Sequence, residues 1–359
     1  MTIKNVALFG ANGNLGTVLL EALARTPEFH VTVIKRASSP YTLPPSLLSS
    51  SPPPTSTAAA AAVSVRTVDD ALSTPSLEAA LAGQDAVVVS IPLRDAAQHL
   101  RIADAAAAAG VRRLVPADYG SCDSASPRAQ ELVPLFARKT AVRERLQELS
   151  AATAAAAGEE GKGEGGEEGI GKGRDFSWTS IVCGHFFDWG LRRGFLHFDI
   201  AARRADVLDH GRYRSSTATL GRVAEAVVAV LRRAAAAAAT EGEAGEGEEK
   251  EQVADETRNR VLFVQSFCVS QLDVLAALER ATGGAAWDVS RLESEAFIAN
   301  RKAKADAGDA AAVEDLVFAL GAIDGDWEGR DGFAMDLLGL ENEDLDEVVG
   351  RVVAEQLRA

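Results

Sequence analysis

A lysine interrupts the apolar face of a helix predicted in the middle of the chain. Between Pro134 and Leu149, apolar residues recur at helical spacing at Leu135, Val142, Leu146 and Leu149. Lys139 falls on the same stripe. Two interpretations are open. The ammonium can extend along the core to water, or it can face a pocket, where lost hydration lowers the pKa of an ammonium. The second interpretation makes Lys139 a candidate for catalytic proton transfer.

A glycine-rich turn directly follows the first apolar segment of the chain, Val6 to Phe9. It reads Gly10-Ala11-Asn12-Gly13-Asn14-Leu15-Gly16, and a helical pattern begins after it. Glycine permits a tight turn at Gly10, close approach of a pyrophosphate at Gly13 and close helix–strand packing at Gly16. Because free N–H groups at a helix N-terminus attract phosphates, the pattern predicts nucleotide binding. The expected binding residues are Gly10, Asn12, Gly13, Asn14, Leu15 and Gly16. An ordinary glycine turn without a ligand is the alternative.

Two cations end the second predicted strand. His30 to Ile34 is followed by Lys35 and Arg36, with Ser38 just after. Proteins of this type that bind NAD usually carry an acidic residue here, which holds the ribose 2′-hydroxyl. Cations suit a 2′-phosphate instead, so the sequence predicts NADP(H) as the cofactor, bound by Lys35, Arg36 and Ser38. The alternative is a pair of solvated surface charges.

Composition excludes several classes of function. The 359 residues are 47% hydrophobic, which is enough for one large or two modest domains. The net charge is −15 and no basic stripe is present, so we expect no nucleic-acid partner. No apolar stretch is long enough to span a membrane. Three cysteines fit a reducing compartment such as the cytoplasm, and five histidines form no zinc motif, so no metal is expected. Monomer and homodimer remain open.

Three low-complexity segments divide the chain, at residues 38–62, 151–174 and 234–258. Their Ser/Pro-rich, Ala-rich and Gly/Glu-rich composition cannot bury enough apolar surface to offset the entropy of ordering. They are therefore predicted as mobile surface loops, whose alanine runs could also extend the adjoining helices.

Strands and helices alternate through the rest of the chain. Strands are predicted near 5–9, 30–35, 63–67, 86–91, 111–115, 178–182 and 261–265. Helices are predicted near 15–25, 76–82, 95–109, 134–150, 219–233 and 270–281. Fully apolar strands indicate an α/β fold with a doubly wound parallel sheet covered on both faces. Residues 1–150 form the dinucleotide-binding domain, and residues 175–359 supply the remaining strands and a smaller, mostly helical substrate lobe.

The carboxyl ends of parallel strands line a ligand crevice in such folds. This rule brings further candidates to the site: Ser90, Ile91 and Pro116 for the cofactor, and Tyr119, His185 and Phe186 for the substrate. Tyr119 could donate a proton, and His185 could contact polar groups of a substrate. Simple packing is the alternative for both side chains.

Several of these segments together resemble one family. They are Gly10–Gly16, Val31–Ser39, Val111–Gly120, Lys139–Arg143 and Trp178–Trp189. The chain is similar to the NmrA-like branch of the atypical short-chain dehydrogenases, within the isoflavone reductase-like and phenylcoumaran benzylic ether reductase group, in its fungal form. It departs from the group at Ala117-Asp118-Tyr119, where Ser-Glu-Phe is usual.

The resemblance implies a Rossmann-type fold and an NADPH-dependent reductase. In the group, a lysine at the position of Lys139 lies near the nicotinamide and acts in proton transfer. The Tyr-x-x-x-Lys pair of ordinary short-chain dehydrogenases is absent, because Leu135 stands four residues before Lys139. The substrate implied is a small aromatic or polyketide-like molecule of secondary metabolism. An NADP(H)-binding redox sensor without turnover is the main alternative, and a lyase or isomerase with a retained cofactor is also open.

Overall fold

The fold is seen in a computed structural model that describes residues 2–44, 47, 63–160, 175–242, 254–284 and 286–358. Most of the three low-complexity segments therefore lies outside the described residues. The chain forms two compact units, and each is made from three stretches of sequence. Unit 1 comprises Met1–Asp118, Arg138–Ile181 and Ala224–Val261, and unit 2 comprises Tyr119–Ala137, Val182–Val223 and Leu262–Ala359.

A seven-stranded sheet is the largest sheet among the described residues. Its strands are β1 (Asn5–Phe9), β2 (His30–Arg36), β3 (Val63–Val68), β4 (Ala86–Val89), β5 (Arg113–Val115), β6 (Ser177–Val182) and β11 (Arg260–Phe263). Their spatial order is β11-β6-β5-β4-β1-β2-β3. Strands β1 to β6 pair in parallel, which confirms the predicted doubly wound α/β architecture. All seven strands had been predicted, although the outer strand β3 is mostly exposed and has no continuous apolar run.

Six helices accompany the strands of this sheet. They are α1 (Asn14–Ala24), α2 (Thr74–Leu81), α3 (Ala96–Ala108), α4 (Pro127–Leu132), α5 (Pro134–Glu160) and α7 (Leu220–Gly242). All of them except α4 were predicted from the sequence pattern. Leu19, Leu20 and Leu23 of α1 are buried, as is every residue of β4. The sheet therefore carries the core of unit 1.

Alanine runs lengthen two helices beyond the predicted ends. The helices expected to end near 150 and 233 continue to Glu160 and Gly242. Alanine has the highest intrinsic helix propensity, so the runs continue the helices that precede them. For residues 151–160 and 234–242, the loop interpretation is therefore wrong, and the alternative that the alanine runs extend the adjoining helices is confirmed.

The end of the third low-complexity segment is also part of the folded core. Arg113 is fully buried in unit 1, and its guanidinium forms an ion pair with Asp255. The same group donates to Thr257 Oγ1 at 2.8 Å and to Ser177 Oγ at 3.0 Å. A buried cation needs such partners to offset its lost hydration. Composition alone had assigned Asp255 and Thr257 to a surface loop.

Unit 2 contains two small sheets that the sequence pattern did not predict. Their strands are β7 (His185–Phe186), β8 (Phe198–Asp199), β9 (Arg204–Leu208), β10 (Arg214–Ala218), β12 (Phe267–Ser270) and β13 (Asp288–Leu292). One sheet has the order β12-β10-β7 and the other β13-β9-β8. These strands are short or partly exposed, so they lack the apolar runs that marked the large sheet.

Unit 2 also contains α6 (Phe187–Arg192). The C-terminal hundred residues are mostly helical, as predicted, in α8 (Gln271–Ala281), α9 (Ser294–Asp306), α10 (Ala310–Asp324), α11 (Met335–Leu338) and α12 (Leu345–Gln356). Phe187, Leu278 and Val349 belong to one buried apolar cluster in this unit. In the part of the chain that the structure describes, no helix combines the length and apolar character needed to cross a membrane.

Candidate functional site

The glycine turn has the geometry that a bound pyrophosphate requires. Gly10 has a φ of +86°, and a Cβ there would lie 2.9 Å from the backbone N of Ile91. A Cβ at Gly16 would lie 1.8 Å from Gly10 O, so helix α1 can approach the turn only with glycine at this position. A Cβ at Gly13 would meet nothing closer than 3.4 Å. Packing of the protein on itself therefore does not require Gly13, and its predicted role in approach to a pyrophosphate stays a prediction.

Helix α1 presents its first N–H groups without a side-chain cap, because Gly13 is its N-cap residue. Asn14 begins the helix and is exposed, whereas Leu15 is buried beneath the first turn. Ser90 holds the turn from the neighbouring strand, since its hydroxyl donates to Phe9 O at 2.8 Å. Uncapped N–H groups and the positive end of the helix dipole together make an anion site.

A cavity of about 570 Å³ in unit 1 extends from this turn to the end of β2. Six of the predicted cofactor residues line it, namely Gly10, Asn12, Lys35, Arg36, Ser38 and Ile91. Arg36 Nη2 donates to Gln98 Oε1 at 2.9 Å, which orients the guanidinium. Pro116 is buried at the end of β5 and does not line the cavity. The residues present fit a dinucleotide with an additional phosphate at the Arg36 end.

Lys139 is buried, with 7% of its surface exposed, so its side chain does not extend to water. Its Nζ donates to the backbone oxygen of Asp118 at 3.1 Å. The buried face of α5 contains Phe136, Val142 and Leu146 with Lys139, whereas Leu135 is only partly buried. The predicted stripe is therefore buried at Lys139, Val142 and Leu146, whereas Leu135 and Leu149 at its two ends are only partly buried.

A second buried cation lies one helical turn after Lys139. Arg143 forms an ion pair with the Asp118 carboxylate, and the Ser180 hydroxyl donates to the same carboxylate oxygen. Asp118, Arg143 and Ser180 are all buried. This network fixes the segment whose carbonyl holds Lys139, just beyond the carboxyl end of β5. The sequence analysis gave these three residues no role, although the four-residue spacing from Lys139 to Arg143 indicated a shared helix face.

Unit 2 contains a separate, mostly apolar cavity of about 300 Å³. The three predicted substrate residues, Tyr119, His185 and Phe186, all line it, as does Leu135. Helix α10 lies against the imidazole, and a Cβ at Gly321 would come within 2.5 Å of His185 Nε2. The wall of the cavity also carries Trp189, Phe195, Leu196, Val313, Val317 and Phe318. Such a lining suits a flat, largely apolar molecule.

His185 is a neutral base in this cavity at physiological pH. Loss of hydration lowers its pKa to about 4, and the ring nitrogen Nε2 lies 3.4 Å from Val317 O. Burial likewise lowers the pKa of His99 in unit 1 to about 4. Neither imidazole therefore contributes a charge to the site at pH 7.

These two histidines make folding stability depend on pH. The unfolded chain takes up a proton near pH 6.5 and the folded chain only near pH 4, so stability falls as the pH drops through this window. Each histidine is expected to contribute a loss of about 3 kcal/mol between pH 7 and pH 4. Urea unfolding of His185→Gln across this range should show a shallower pH slope than the wild type. A pH slope equal to that of the wild type would contradict the assignment. A free energy of unfolding that changes by the same amount at every pH would report an effect on packing alone.

A cluster of possible metal ligands in unit 2 lacks the chemistry of a metal centre. Ligand atoms of Cys268, Asp326 and Glu328 lie within 4.8 Å of one another. Burial raises the pKa of the Cys268 thiol, and Arg214 forms an ion pair with Glu328 at 3.1 Å. The ion pair with Arg214 occupies one of the carboxylates that a metal ion would need.

Comparison with known proteins places this geometry in a family. A family model described as the NmrA-like family matches residues 2–158. The oxidoreductase poxI of Penicillium oxalicum is 30% identical over 352 residues, which cover 96% of this chain and 92% of that protein.

Two solved structures share the fold at low sequence identity. A crystal structure of isoflavone reductase gives a TM-score of 0.64 at 14% identity, over 98% of this chain and 99% of the other. The binary complex of leucoanthocyanidin reductase with NADPH, from Vitis vinifera, gives 0.64 at 11% identity with the same coverage. Because the match to the fungal relative extends over almost the whole chain, and the family model covers the glycine turn and Lys139, the chain belongs to the NmrA-like family.

Proposed function

We propose that this protein is an NADPH-dependent reductase of a small aromatic or polyketide-like molecule of secondary metabolism. The observation that carries the proposal is the cavity of unit 1, in which an uncapped glycine turn and Arg36 lie at two ends of one nucleotide-sized space. A relative named as an oxidoreductase and a structural neighbour in complex with NADPH support it. The expected cytoplasmic location and the choice between monomer and homodimer remain predictions.

Different residues of unit 1 would bind different parts of the cofactor. The N–H groups at the start of α1 would bind the pyrophosphate, next to Gly13. Arg36, oriented by Gln98, would bind the 2′-phosphate through its guanidinium. When bound, NADPH supplies a hydride from its nicotinamide ring to an electrophilic carbon of the substrate.

Lys139 would supply the proton that balances the hydride. Its Nζ carries three N–H groups, and the Asp118 carbonyl accepts from it and holds it in place. Asp118 is itself immobilised by Arg143 and Ser180, so the lysine is positioned before the substrate arrives. The mostly apolar cavity of unit 2, with Tyr119 and His185 among its polar groups, would bind the substrate.

Replacement of Arg36 tests the cofactor assignment. Calorimetric titration of the wild type should show tight NADPH and weak NADH binding. In Arg36→Leu, NADPH affinity should fall about ten- to a hundredfold, the range for a hydrogen bond to a charged group, and NADH affinity should not change. Arg25→Leu removes an exposed arginine that does not line the cavity and is the matched control. Equal wild-type affinities would remove the 2′-phosphate assignment, and no binding of either coenzyme would remove the dinucleotide proposal.

Turnover separates a reductase from a sensor. A sensor binds NADPH and does not consume it, whereas a reductase oxidises NADPH when a substrate is present. The measurement is the decrease in NADPH absorbance when the protein is incubated with each member of a panel of aromatic ketones and quinones. NADPH binding without consumption across a broad panel favours the sensor.

A further inference from the structure

Among the described residues that line the cavity of unit 2, one carries a charge at neutral pH. This residue is Glu314 of α10, and it is exposed, so it lies at the opening of the cavity. No Lys or Arg is found in the same lining. His185 is neutral at pH 7, because burial lowers its pKa to about 4. The opening of the cavity is therefore negative, and no cation of the lining balances it.

Three aromatic side chains of this cavity leave part of their surface uncovered. Phe186, Trp189 and Phe195 line it, and each is only half-buried. The rings of Trp189 and Phe195 stack, with centroids 4.9 Å apart and an interplanar angle of 24°. Stacking fixes the orientation of the two rings and occupies only one face of each. The face of an aromatic ring attracts a cation, and tryptophan attracts it most strongly.

Two hydrogen-bond donors of the cavity wall are bonded within the protein. Ser121 Oγ donates to Val317 O at 3.1 Å, and His185 Nε2 lies 3.4 Å from the same oxygen. Since a carbonyl oxygen only accepts, the imidazole N–H points at it. A carboxylate on a ligand would therefore find no cation in this lining and would be repelled by Glu314.

A ligand with a positive charge meets the opposite conditions. The carboxylate of Glu314 attracts it, and the faces of the half-buried aromatic rings add a second attraction. Aromatic rings combined with a negative charge are a usual way for proteins to recognise organic ammonium groups. The rest of the lining is mostly apolar and suits a flat ring system attached to that ammonium.

We propose that Glu314 determines the substrate class of this cavity, and that the substrate is an aromatic molecule that carries a cationic nitrogen. Its ring system would pack against the apolar wall, and its ammonium would bind at the opening, with Glu314, Trp189 and Phe195 as its partners. The inference rests on the proposed function for the assignment of this cavity to the substrate. It excludes carboxylated aromatic molecules, which the proposed function alone would admit.

Three probes of similar shape and different charge test the inference. They are naphthylmethylammonium, naphthalenemethanol and naphthoate, all substituted at the same ring carbon. Their binding to the wild-type protein is measured by calorimetry at low ionic strength and pH 7. The ammonium should bind about two- to thirtyfold more tightly than the alcohol, the range of a cation–π contact. Naphthoate should bind more weakly than the alcohol, because Glu314 repels it.

Replacement of Glu314 shows whether its charge causes this preference. In Glu314→Gln, affinity for the ammonium should fall about two- to fivefold, the range of an exposed ion pair, and affinity for the alcohol should not change. Glu314→Lys should bind naphthoate more tightly than the ammonium. Glu144→Gln removes an exposed glutamate of α5 that does not line the cavity, and it should bind all three probes as the wild type does.

A change in the cavity wall locates the bound probe. Val317→Phe adds an aromatic ring to the lining and should weaken all three probes, because it narrows the space for their ring system. Unchanged binding of the ammonium in this variant would place the probe outside the cavity and overturn the inference. A melting temperature within about 2 °C of the wild type confirms that each variant is folded.

Two results with the other proteins would also overturn the inference. One is a wild type that binds naphthoate at least as tightly as the ammonium, and the other is a Glu314→Gln variant with unchanged affinity for the ammonium. Failure of the proposed function is distinguishable, because it appears as a wild type that binds neither NADPH nor NADH. Should that wild type still prefer the ammonium, and lose the preference in Glu314→Gln, the cavity selects cations without a reductase.

Discussion

Replacing Gly16 with alanine should lower the NADPH affinity of the protein by about five- to a hundredfold. The added Cβ would lie 1.8 Å from the oxygen and 2.7 Å from the carbon of the Gly10 carbonyl. Both are backbone atoms, which cannot rotate away as a side chain can, so either α1 or the turn must move. Overpacking of this kind costs about 1–3 kcal/mol, and about 3 kcal/mol corresponds to a hundredfold change in affinity. Calorimetric titration with NADPH measures the change in affinity, and urea unfolding measures the change in the free energy of unfolding.

A second helix glycine provides the matched control. Gly350 lies in α12, and a Cβ there would meet no atom within 4 Å. Gly350→Ala should raise the free energy of unfolding by about 0.5–1 kcal/mol, because alanine favours the helix, and should leave NADPH affinity unchanged. The same change from glycine to alanine should therefore lower the free energy of unfolding at Gly16 and raise it at Gly350. Wild-type NADPH affinity in Gly16→Ala would contradict the assigned role of the turn.

Replacing Lys139 with methionine should lower the rate of substrate reduction by about a hundred- to ten-thousandfold, the usual contribution of a positioned acid or base. Methionine keeps a long apolar stem on the buried face of α5 but has no proton to give. NADPH affinity should change little, because the proton is needed only in the chemical step. Single-turnover oxidation of NADPH, with a substrate from the screen described above, separates this step from binding.

The same substitution on another helix shows whether the effect is specific. Lys302 of α9 forms an exposed ion pair with Asp306, and Lys302→Met should retain full activity. A structural role of Lys139 would instead appear as lost stability, since its removal leaves the Asp118 carbonyl without the Nζ donor. Full activity in a folded Lys139→Met variant would remove the catalytic assignment.

The sequence pattern was sufficient to predict the large sheet and some of the candidate site residues. Apolar runs identified buried strands such as β4, since a strand buried on both faces must be apolar along its length. Strand β3 was also predicted, although its residues 64–67 are exposed. Helical periodicity placed Lys139 on a buried face, and the spacing of Gly10, Gly13 and Gly16 identified the phosphate turn. These features depend on residues close together in the chain, which local patterns report.

The environment of those residues depends on contacts between distant parts of the chain. Arg113 and Asp255 meet in the core although 142 positions separate them. Asp118 and Ser180, 62 positions apart, share one hydrogen bond. The small sheets of unit 2 form in the same way, from short strands with no apolar run of their own. Composition alone therefore assigned part of this core to loops.

By itself, the sequence determined the α/β fold, the glycine turn, the two cations after β2 and an inward lysine. Only the tertiary structure decided what those groups bind. It showed that Lys35 donates to the backbone oxygens of Ser39 and Tyr41. Arg36 donates to Gln98, and Lys139 donates to the backbone oxygen of Asp118. The physical reason is that periodicity reports which face of an element is buried, whereas the partner and hydration of a polar group depend on what the rest of the chain brings to that face.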